Sequence, residues 1–83
     1  MAKIEVYTTD YCPYCVRAKS LLKNKGVEFK EIEVKTDQER LDLVKKSNGM
    51  RTVPQIFIND KHIGGFDDLH KLDLSGELNK MLK

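Results

Sequence analysis

Two cysteines separated by two residues are the part of this chain best suited to chemistry. Cys12-Pro13-Tyr14-Cys15 contains both cysteines of the chain. The motif follows a short run of alternating apolar residues and precedes a segment with helical periodicity, which predicts a strand-to-helix junction. Two thiols at this spacing can close into a small disulfide or open into a dithiol without refolding of the chain. The pattern therefore indicates an electron carrier.

The two cysteines are expected to differ in reactivity. With Cys12 as the N-cap residue, Pro13 takes the first helical position, where its missing N–H costs nothing. The Cys12 sulfur then lies at the positive end of the helix dipole, which lowers the pKa of a thiol from about 8.5 toward ~3.5–7.5. We predict that Cys12 is the nucleophile. Cys15, on the side of Ala18 and Leu22, is predicted to be the more buried, resolving thiol that releases the partner.

Two other uses of the cysteine pair are disfavoured by the same spacing. A structural disulfide would close a loop of only four residues, for which the gain from constraining the unfolded chain is smallest. A zinc site needs four ligands, and outside the pair the chain has only His62 and His70 and no second cysteine pair. We therefore expect no metal.

Length and composition indicate one small domain over residues 1–83, with 40% apolar residues for its core. Fifteen basic and thirteen acidic residues leave a net charge of +2, too small an excess to indicate nucleic-acid binding. The N-terminus has no apolar leader segment, and the longest aliphatic or aromatic run is Ile56-Phe57-Ile58, which argues against secretion and membrane spanning. We expect a cytoplasmic protein, whose disulfide a reducing environment would turn over.

Strand and helix patterns alternate on both sides of the cysteine pair. Residues 3–8 predict a strand, residues 13–25 predict a helix that ends at Gly26, and residues 28–34 predict a strand near a sheet edge. Thr36-Asp37-Gln38-Glu39 fits the capping box of a second helix. This second helix should bury Leu41 and Val44 and end near Asn48-Gly49. Residues 55–58 predict a buried central strand, followed by a turn at Asn59-Asp60 and an antiparallel strand over 61–63. A third helix capped by Asp67 or Asp68 and a short helix from about Ser75 complete the prediction.

This order of elements, βαβαββα plus a short C-terminal helix, predicts an α/β protein with a thioredoxin-like fold. Because a crossover through a helix joins the first two strands, these should be parallel, while the third and fourth should form an antiparallel hairpin. The result is a four-stranded mixed β-sheet flanked by helices on both faces.

Two segments beyond the cysteines each allow a structural and a functional interpretation. Pro54 could merely begin a strand, where no N–H is needed, or a cis bond before it could free the Val53 backbone to pair with an extended substrate beside Cys12. Gly64-Gly65 could merely make a turn before a capped helix. A helix N-terminus with a neighbouring Asp67 could instead hold the charged end of an α-amino acid.

Three motifs in register resemble the dithiol glutaredoxins, particularly the small bacterial class, over essentially the whole chain. The motifs are Cys12-Pro13-Tyr14-Cys15, Thr52-Val53-Pro54-Gln55-Ile56-Phe57-Ile58, and Gly64-Gly65 followed by Asp67-Asp68. The resemblance implies an enzyme that reduces protein disulfides and glutathione mixed disulfides through a redox-active Cys12–Cys15 disulfide, with glutathione as co-substrate and no metal. It further implies a monomer whose partners are glutathione and disulfide-bearing proteins, with ribonucleotide reductase as a candidate.

The resemblance also implies a glutathione site. By position, its residues would be Tyr14, Arg51, Thr52, Val53, Pro54, Gly65, Phe66, Asp67 and Asp68. Thr9 departs from the family pattern, because many members carry a lysine there that assists the thiolate. We expect a Cys12 thiolate pKa less depressed than in lysine-bearing relatives.

Two alternative functions remain open. A redoxin reduced by thioredoxin reductase would use the same dithiol, but the glutathione-type residues at Val53, Gly65 and Asp67 argue against it. A carrier in which two chains and two glutathiones hold a [2Fe-2S] cluster through Cys12 is permitted by the resemblance. However, the Pro13-Tyr14 pair differs from the glycine-phenylalanine pair of the members most associated with that task.

Overall fold

The computed structural model describes residues 3–10, 12–47, 49–50 and 52–82. The predicted alternation of strands and helices is confirmed, and two consecutive helices complete the chain. The strands are β1 (Ile4–Thr8), β2 (Lys30–Glu33), β3 (Gln55–Ile58) and β4 (Lys61–Gly64), and the helices are α1 (Pro13–Asn24), α2 (Asp37–Lys46), α3 (Phe66–Ser75) and α4 (Glu77–Met81).

The four strands form one mixed sheet in the order β2-β1-β3-β4. β1 is parallel to β2 and antiparallel to β3, and β3 is antiparallel to β4, as predicted. The predicted turn between β3 and β4 is confirmed, because Asn59 and Asp60 have φ values of 52° and 65°. β3 is interior and all four of its residues are buried, whereas β2 lies at an edge. The sheet thus places the loops after β1 and before β3 side by side.

Alternation along β1 and β3 divides the core between the two faces of the sheet. The first, which we call the three-helix face, packs strand residues against α1, α3 and α4. Its buried side chains are Ile4, Val6, Ala18, Leu22, Ile56, Ile58, Leu69 and Leu78. The second, which we call the α2 face, has three buried apolar side chains among the residues described, Val34, Leu43 and Phe57, with Tyr7 and Val53 packed against them.

The orientation of α2 differs from the prediction. Leu41 is 55% exposed, and the buried side chain of this helix is Leu43. The capping box is confirmed, with Glu39 N–H 3.1 Å from Thr36 Oγ1. The helix is short and carries apolar residues on two sides, so periodicity alone did not show which side meets Phe57 on the sheet. It ends at Lys46, earlier than predicted, and Asn48 lies outside the described residues.

Two other predicted boundaries shift. α3 begins at Phe66 with Gly65 as its N-cap, so neither of the two aspartates is the capping residue. The last helix begins at Glu77, because Gly76 adopts a left-handed conformation with φ of 83° and ends α3. Within the described ranges, no helix is both long and apolar enough to cross a bilayer.

Candidate active site

Cys12 caps the first turn of α1, as its place before Pro13 predicted. Its backbone is extended, with φ of −130° and ψ of 106°, and Pro13 begins the helix. The Cys12 sulfur accepts a hydrogen bond from the Cys15 backbone N–H at 3.3 Å. An otherwise unpaired donor of the helix terminus is therefore aimed at this sulfur, as in a side-chain N-cap. The thiol is half-buried and free.

Cys15 lies one turn further along and is buried, with 2% of its surface exposed. Burial, together with the neighbouring Cys12 side chain, raises the pKa of the Cys15 thiol to about 12, while a backbone hydrogen bond from Thr9 opposes the rise. A thiol with this pKa is almost entirely protonated at neutral pH. The helix therefore holds one half-exposed sulfur and one protonated, inaccessible sulfur within a single turn.

The loop before β3 approaches Cys12 from the other side. The Cys12 thiol donates a hydrogen bond to the Val53 carbonyl oxygen at 3.7 Å. The Val53–Pro54 peptide bond is cis, in accordance with the second of the two interpretations of this proline. Thr52 is exposed, Val53 is half-buried and Pro54 is buried. The backbone of Val53 therefore forms one wall beside the half-exposed thiol.

The junction of β4 and α3 adjoins that loop. A Cβ atom added at Gly65 would lie 3.4 Å from the Pro54 carbonyl oxygen, so the two backbones are in close contact. Gly64 has φ of 123°, and a Cβ atom there would overlap the Asp68 carboxylate, so only glycine fits. Asp68 accepts the Gly65 backbone N–H at 3.2 Å, which supports the structural interpretation of this aspartate. Asp67 is exposed.

An aromatic contact connects α3 with the cysteine motif. The Tyr14 ring, 53% exposed, lies 6.4 Å from the Phe66 ring between centroids. The Arg17 guanidinium lies 5.4 Å from the Tyr14 centroid, and His70 stacks on Phe66 at 5.5 Å. The contact between Tyr14 and Phe66 joins the start of α3 to the first turn of α1, which Cys12 caps. The arrangement can accommodate an extended peptide next to a reactive sulfur.

Comparison with known proteins identifies the family. The sequence model of the Glutaredoxin family matches residues 4–63. The chain belongs to the glutaredoxin family. It is 49% identical to Glutaredoxin 3 of Escherichia coli strain K12 over 83 residues, which cover the whole of both chains. Glutaredoxins are thiol–disulfide oxidoreductases that depend on glutathione, and the chain is an enzyme of this class.

Solved glutaredoxin structures share the fold. The solution structure of glutaredoxin from Brucella melitensis superimposes with a TM-score of 0.88 at 45% identity, over 100% of this chain and 90% of that one. The crystal structure of a buckwheat glutaredoxin–glutathione complex gives a TM-score of 0.87 at 34% identity, over 98% of this chain and 76% of that one. The predicted thioredoxin-like arrangement is therefore confirmed.

The glutaredoxin fold brings together eight of the nine residues predicted to form the glutathione site. They belong to three adjoining segments, the first turn of α1, residues 52–54 and residues 65–68. Arg51 lies outside the described residues. Among those described, no three His, Cys, Asp or Glu side chains are grouped so that they could hold a metal ion.

Sequence reasoning missed two residues behind this glutaredoxin site. Gln55 is fully buried, and its side-chain amide contacts Thr52 and His62. His62 is half-buried against Phe57. A glutamine in a buried strand could have been a signal, because a buried amide needs hydrogen-bond partners. Its partners, however, are not apparent from the sequence.

Proposed function

We propose that Cys12 is the nucleophile and Cys15 the resolving thiol in the reduction of protein disulfides and glutathione mixed disulfides. The observation that carries the proposal is the difference in exposure and environment between the two thiols, which lie within one helical turn. The Cys12 sulfur is half-exposed and accepts the Cys15 N–H, whereas the Cys15 thiol is buried with its pKa raised to about 12. The thiolate is the attacking species in disulfide exchange, so the accessible sulfur reacts first.

The first step is attack of the Cys12 thiolate on one sulfur of the substrate disulfide. A bond forms between Cys12 Sγ and that sulfur, the substrate S–S bond breaks, and the second sulfur leaves as a thiolate that takes up a proton. The N–H of Cys15 points at Cys12 Sγ and stabilises negative charge on it before the attack. The Val53 carbonyl oxygen lies beside this sulfur.

The second step depends on the substrate. With a protein disulfide, Cys15 loses its proton and attacks Cys12 Sγ, which closes the Cys12–Cys15 disulfide and releases the reduced protein. The hydrogen bond and charge of Cys12 contribute to the raised pKa of Cys15. That contribution ends once the Cys12 sulfur is in the mixed disulfide, which eases deprotonation of Cys15 at the moment it must attack. Two glutathione molecules then return two electrons and leave as glutathione disulfide.

With a glutathione mixed disulfide as substrate, the first step leaves glutathione bonded to Cys12. A second glutathione can attack the glutathione sulfur of that disulfide directly, and Cys15 is not required.

We propose that glutathione lies along the surface formed by the three segments. The Val53 backbone would pair with the peptide, Tyr14 and Phe66 would cover it, and Thr52 with Arg51 would flank its glycyl carboxylate. The exposed Asp67 and the N-terminus of α3 would receive the α-amino-acid end, with Asp68 holding Gly65 in place.

The half-exposed thiol also supports reaction with disulfides on other proteins. We propose that disulfide-bearing proteins are substrates, that the chain acts as a monomer, and that it works in the reducing cytoplasm, where the dithiol can be regenerated.

Turnover by the wild type and two cysteine variants tests this division of roles. One substrate is a glutathione–cysteine mixed disulfide, assayed with glutathione, glutathione reductase and NADPH, and the other is a disulfide-bonded protein. Cys12→Ser should lower both activities at least about 1,000-fold, because the nucleophile is lost. Cys15→Ser should keep most of the first activity and lose most of the second.

A control is needed because Cys15 is buried and its replacement could unfold the chain. Cys15→Ala, which leaves no buried hydroxyl, should behave like Cys15→Ser in both assays. Loss of both activities in a folded Cys15 variant would contradict the proposed roles, and so would retention of either activity by Cys12→Ser.

A further inference from the structure

A buried glutamine connects the site to the α2 face of the sheet. Gln55 is the first residue of β3 and has no exposed surface. Its side chain lies on the face of Phe57, because residues two apart on a strand share a face. A buried amide without partners is costly, so its hydrogen bonds define its function.

The direction of every hydrogen bond in this group is determined. Gln55 Nε2 lies 2.8 Å from the Thr52 carbonyl oxygen, which can only accept, so the amide nitrogen is the donor there. Gln55 Oε1 must then face His62, whose Nε2 lies 2.7 Å away. An amide oxygen can only accept, so His62 Nε2 carries a proton. The proton is on this nitrogen whether the imidazole is neutral or charged.

The same amide determines which way the Thr52 hydroxyl points. Gln55 Nε2 also lies 3.3 Å from Thr52 Oγ1. Because Gln55 donates its two N–H groups to the two Thr52 oxygens, the Thr52 O–H proton is directed elsewhere. Thr52 is exposed. Its hydroxyl can therefore donate to an anionic group on the open side of the loop.

His62 is itself held in place. It is the cross-strand partner of Phe57, and the centroids of the two rings lie 5.1 Å apart. Phe57 is buried with 2% of its surface exposed. The hydrogen bonds thus run from a packed strand pair through Gln55 to Thr52, next to Val53, whose carbonyl oxygen contacts the Cys12 thiol.

We propose that Gln55 and His62 form a positioning pair that orients Thr52 for the carboxylate of the peptide substrate. The pair acts on substrate affinity through the loop and leaves the chemistry of Cys12 unchanged. This inference rests on the proposed use of glutathione at the same site. It assigns a role in substrate binding to two residues that touch neither the substrate nor the reacting sulfur.

Gln55→Glu tests the pair with almost no change in size. The carboxylate still accepts the His62 N–H, but it cannot donate to Thr52 and presents an acceptor to the Thr52 carbonyl. We expect KM for the glutathione mixed disulfide to rise about tenfold, as for one well-formed hydrogen bond lost at a site, with kcat changed less than about twofold. Alkylation of Cys12 by iodoacetamide, measured in the Cys15→Ser background, should be unchanged. His62→Leu should raise KM less, because Gln55 still reaches Thr52.

Leu43→Ala is the matched control, since it weakens the apolar packing of the same face, including that of Val53, but leaves the hydrogen bonds of Gln55 to Thr52 and His62 intact. It should leave KM near the wild-type value at a temperature where every variant is folded. An equal rise of KM in Leu43→Ala, or an unchanged KM in Gln55→Glu, would overturn the proposal.

A second readout does not require turnover. The ¹³C resonance of the Thr52 carbonyl should move upfield in Gln55→Glu, because it loses a donor, and stay in place in Leu43→Ala. An unmoved resonance would also overturn the proposal. Absence of wild-type turnover would instead refute the proposed function, and the resonance would still decide whether Gln55 holds the loop.

Discussion

The two faces of the sheet are built differently and contribute differently to the site. The three-helix face buries eight apolar side chains from two strands and three helices. The α2 face buries three, and beside them lies a group of polar side chains that includes Gln55, His62 and Lys46. The first face resembles the interior of a small globular protein, and the second combines a small core with directed hydrogen bonds.

The difference shows how stability and positioning are divided. Burial of apolar surface is non-directional, so the three-helix face can stabilise α1 and α3 without determining the orientation of a particular backbone group. Hydrogen bonds are directional, so the α2 face can hold Thr52 in one orientation. Cys12 and Tyr14 come from a helix packed on the first face, whereas the loop opposite them is held from the second.

The comparison predicts unequal losses of stability from equal truncations. Leu22 on the three-helix face is fully buried, so Leu22→Ala should lower the free energy of unfolding by about 4 kcal/mol. Leu43 belongs to the smaller cluster, where neighbours can collapse into the space, so Leu43→Ala should cost about 2 kcal/mol. Urea denaturation followed by circular dichroism measures both.

Leu41→Ala is the control for the orientation of α2. Because Leu41 is 55% exposed, this variant should remain within about 0.5 kcal/mol of the wild type. A loss for Leu41→Ala that exceeds the loss for Leu43→Ala would contradict the observed helix orientation. Equal losses for Leu22→Ala and Leu43→Ala would contradict the inequality of the two faces.

At acid pH the rim of the three-helix face should weaken first. Glu31 accepts hydrogen bonds from Lys19 of α1 and from Thr8 of β1, each at 2.9 Å, and these hold the pKa of its carboxyl below the usual value. A carboxyl whose pKa is lower in the folded than in the unfolded state stabilises the fold at pH values above the unfolded-state pKa. This stabilisation is lost as the pH falls through the folded-state pKa. The side chain is 42% exposed, so the contribution should stay below about 1 kcal/mol.

Glu31→Gln should therefore flatten the decline of unfolding free energy below about pH 4.5, as measured by urea denaturation at a series of pH values. At alkaline pH, the free energy of unfolding of this variant should change with pH as it does in the wild type. An acid limb as steep as that of the wild type would show that this carboxylate does not link α1 to the sheet.

At alkaline pH the α2 face should weaken instead. Lys46 donates a hydrogen bond to the Tyr7 hydroxyl at 3.0 Å, which raises the pKa of the ammonium, and Glu5 raises it further. Its ammonium nitrogen also lies 4.9 Å from the centroid of Phe57. A raised pKa gives stabilisation that is complete below the unfolded-state value and is lost as pH rises through the folded-state value.

Lys46→Met keeps the apolar stem over the rings and removes the charge. It should flatten the decline in stability above about pH 10.5 by a few tenths of a kcal/mol, the scale of a partly exposed pair. The same denaturation series measures it. A decline above pH 10.5 as steep as that of the wild type would show that this ammonium does not stabilise the α2 face.

Local sequence patterns predicted most of the fold. Alternation in β1, the capping box at Thr36 and the turn at Asn59-Asp60 are short-range signals, and each is confirmed. The side of α2 that is buried was predicted incorrectly, because it depends on contact with Phe57, which comes later in the chain. Gln55 was missed for a similar reason, since one of its partners lies in a different strand.

What the sequence determined by itself was the reactive motif and its local setting. Proline after Cys12 and helical periodicity beyond it suffice to place one sulfur at a helix terminus, because both act within a single turn. Only the tertiary structure decided what lies opposite that sulfur. The Val53 carbonyl and the Phe66 ring reach the site, and the amide of Gln55 reaches the loop beside it, through sheet pairing and helix packing, which bring in residues 40 or more positions away from Cys12 in the chain.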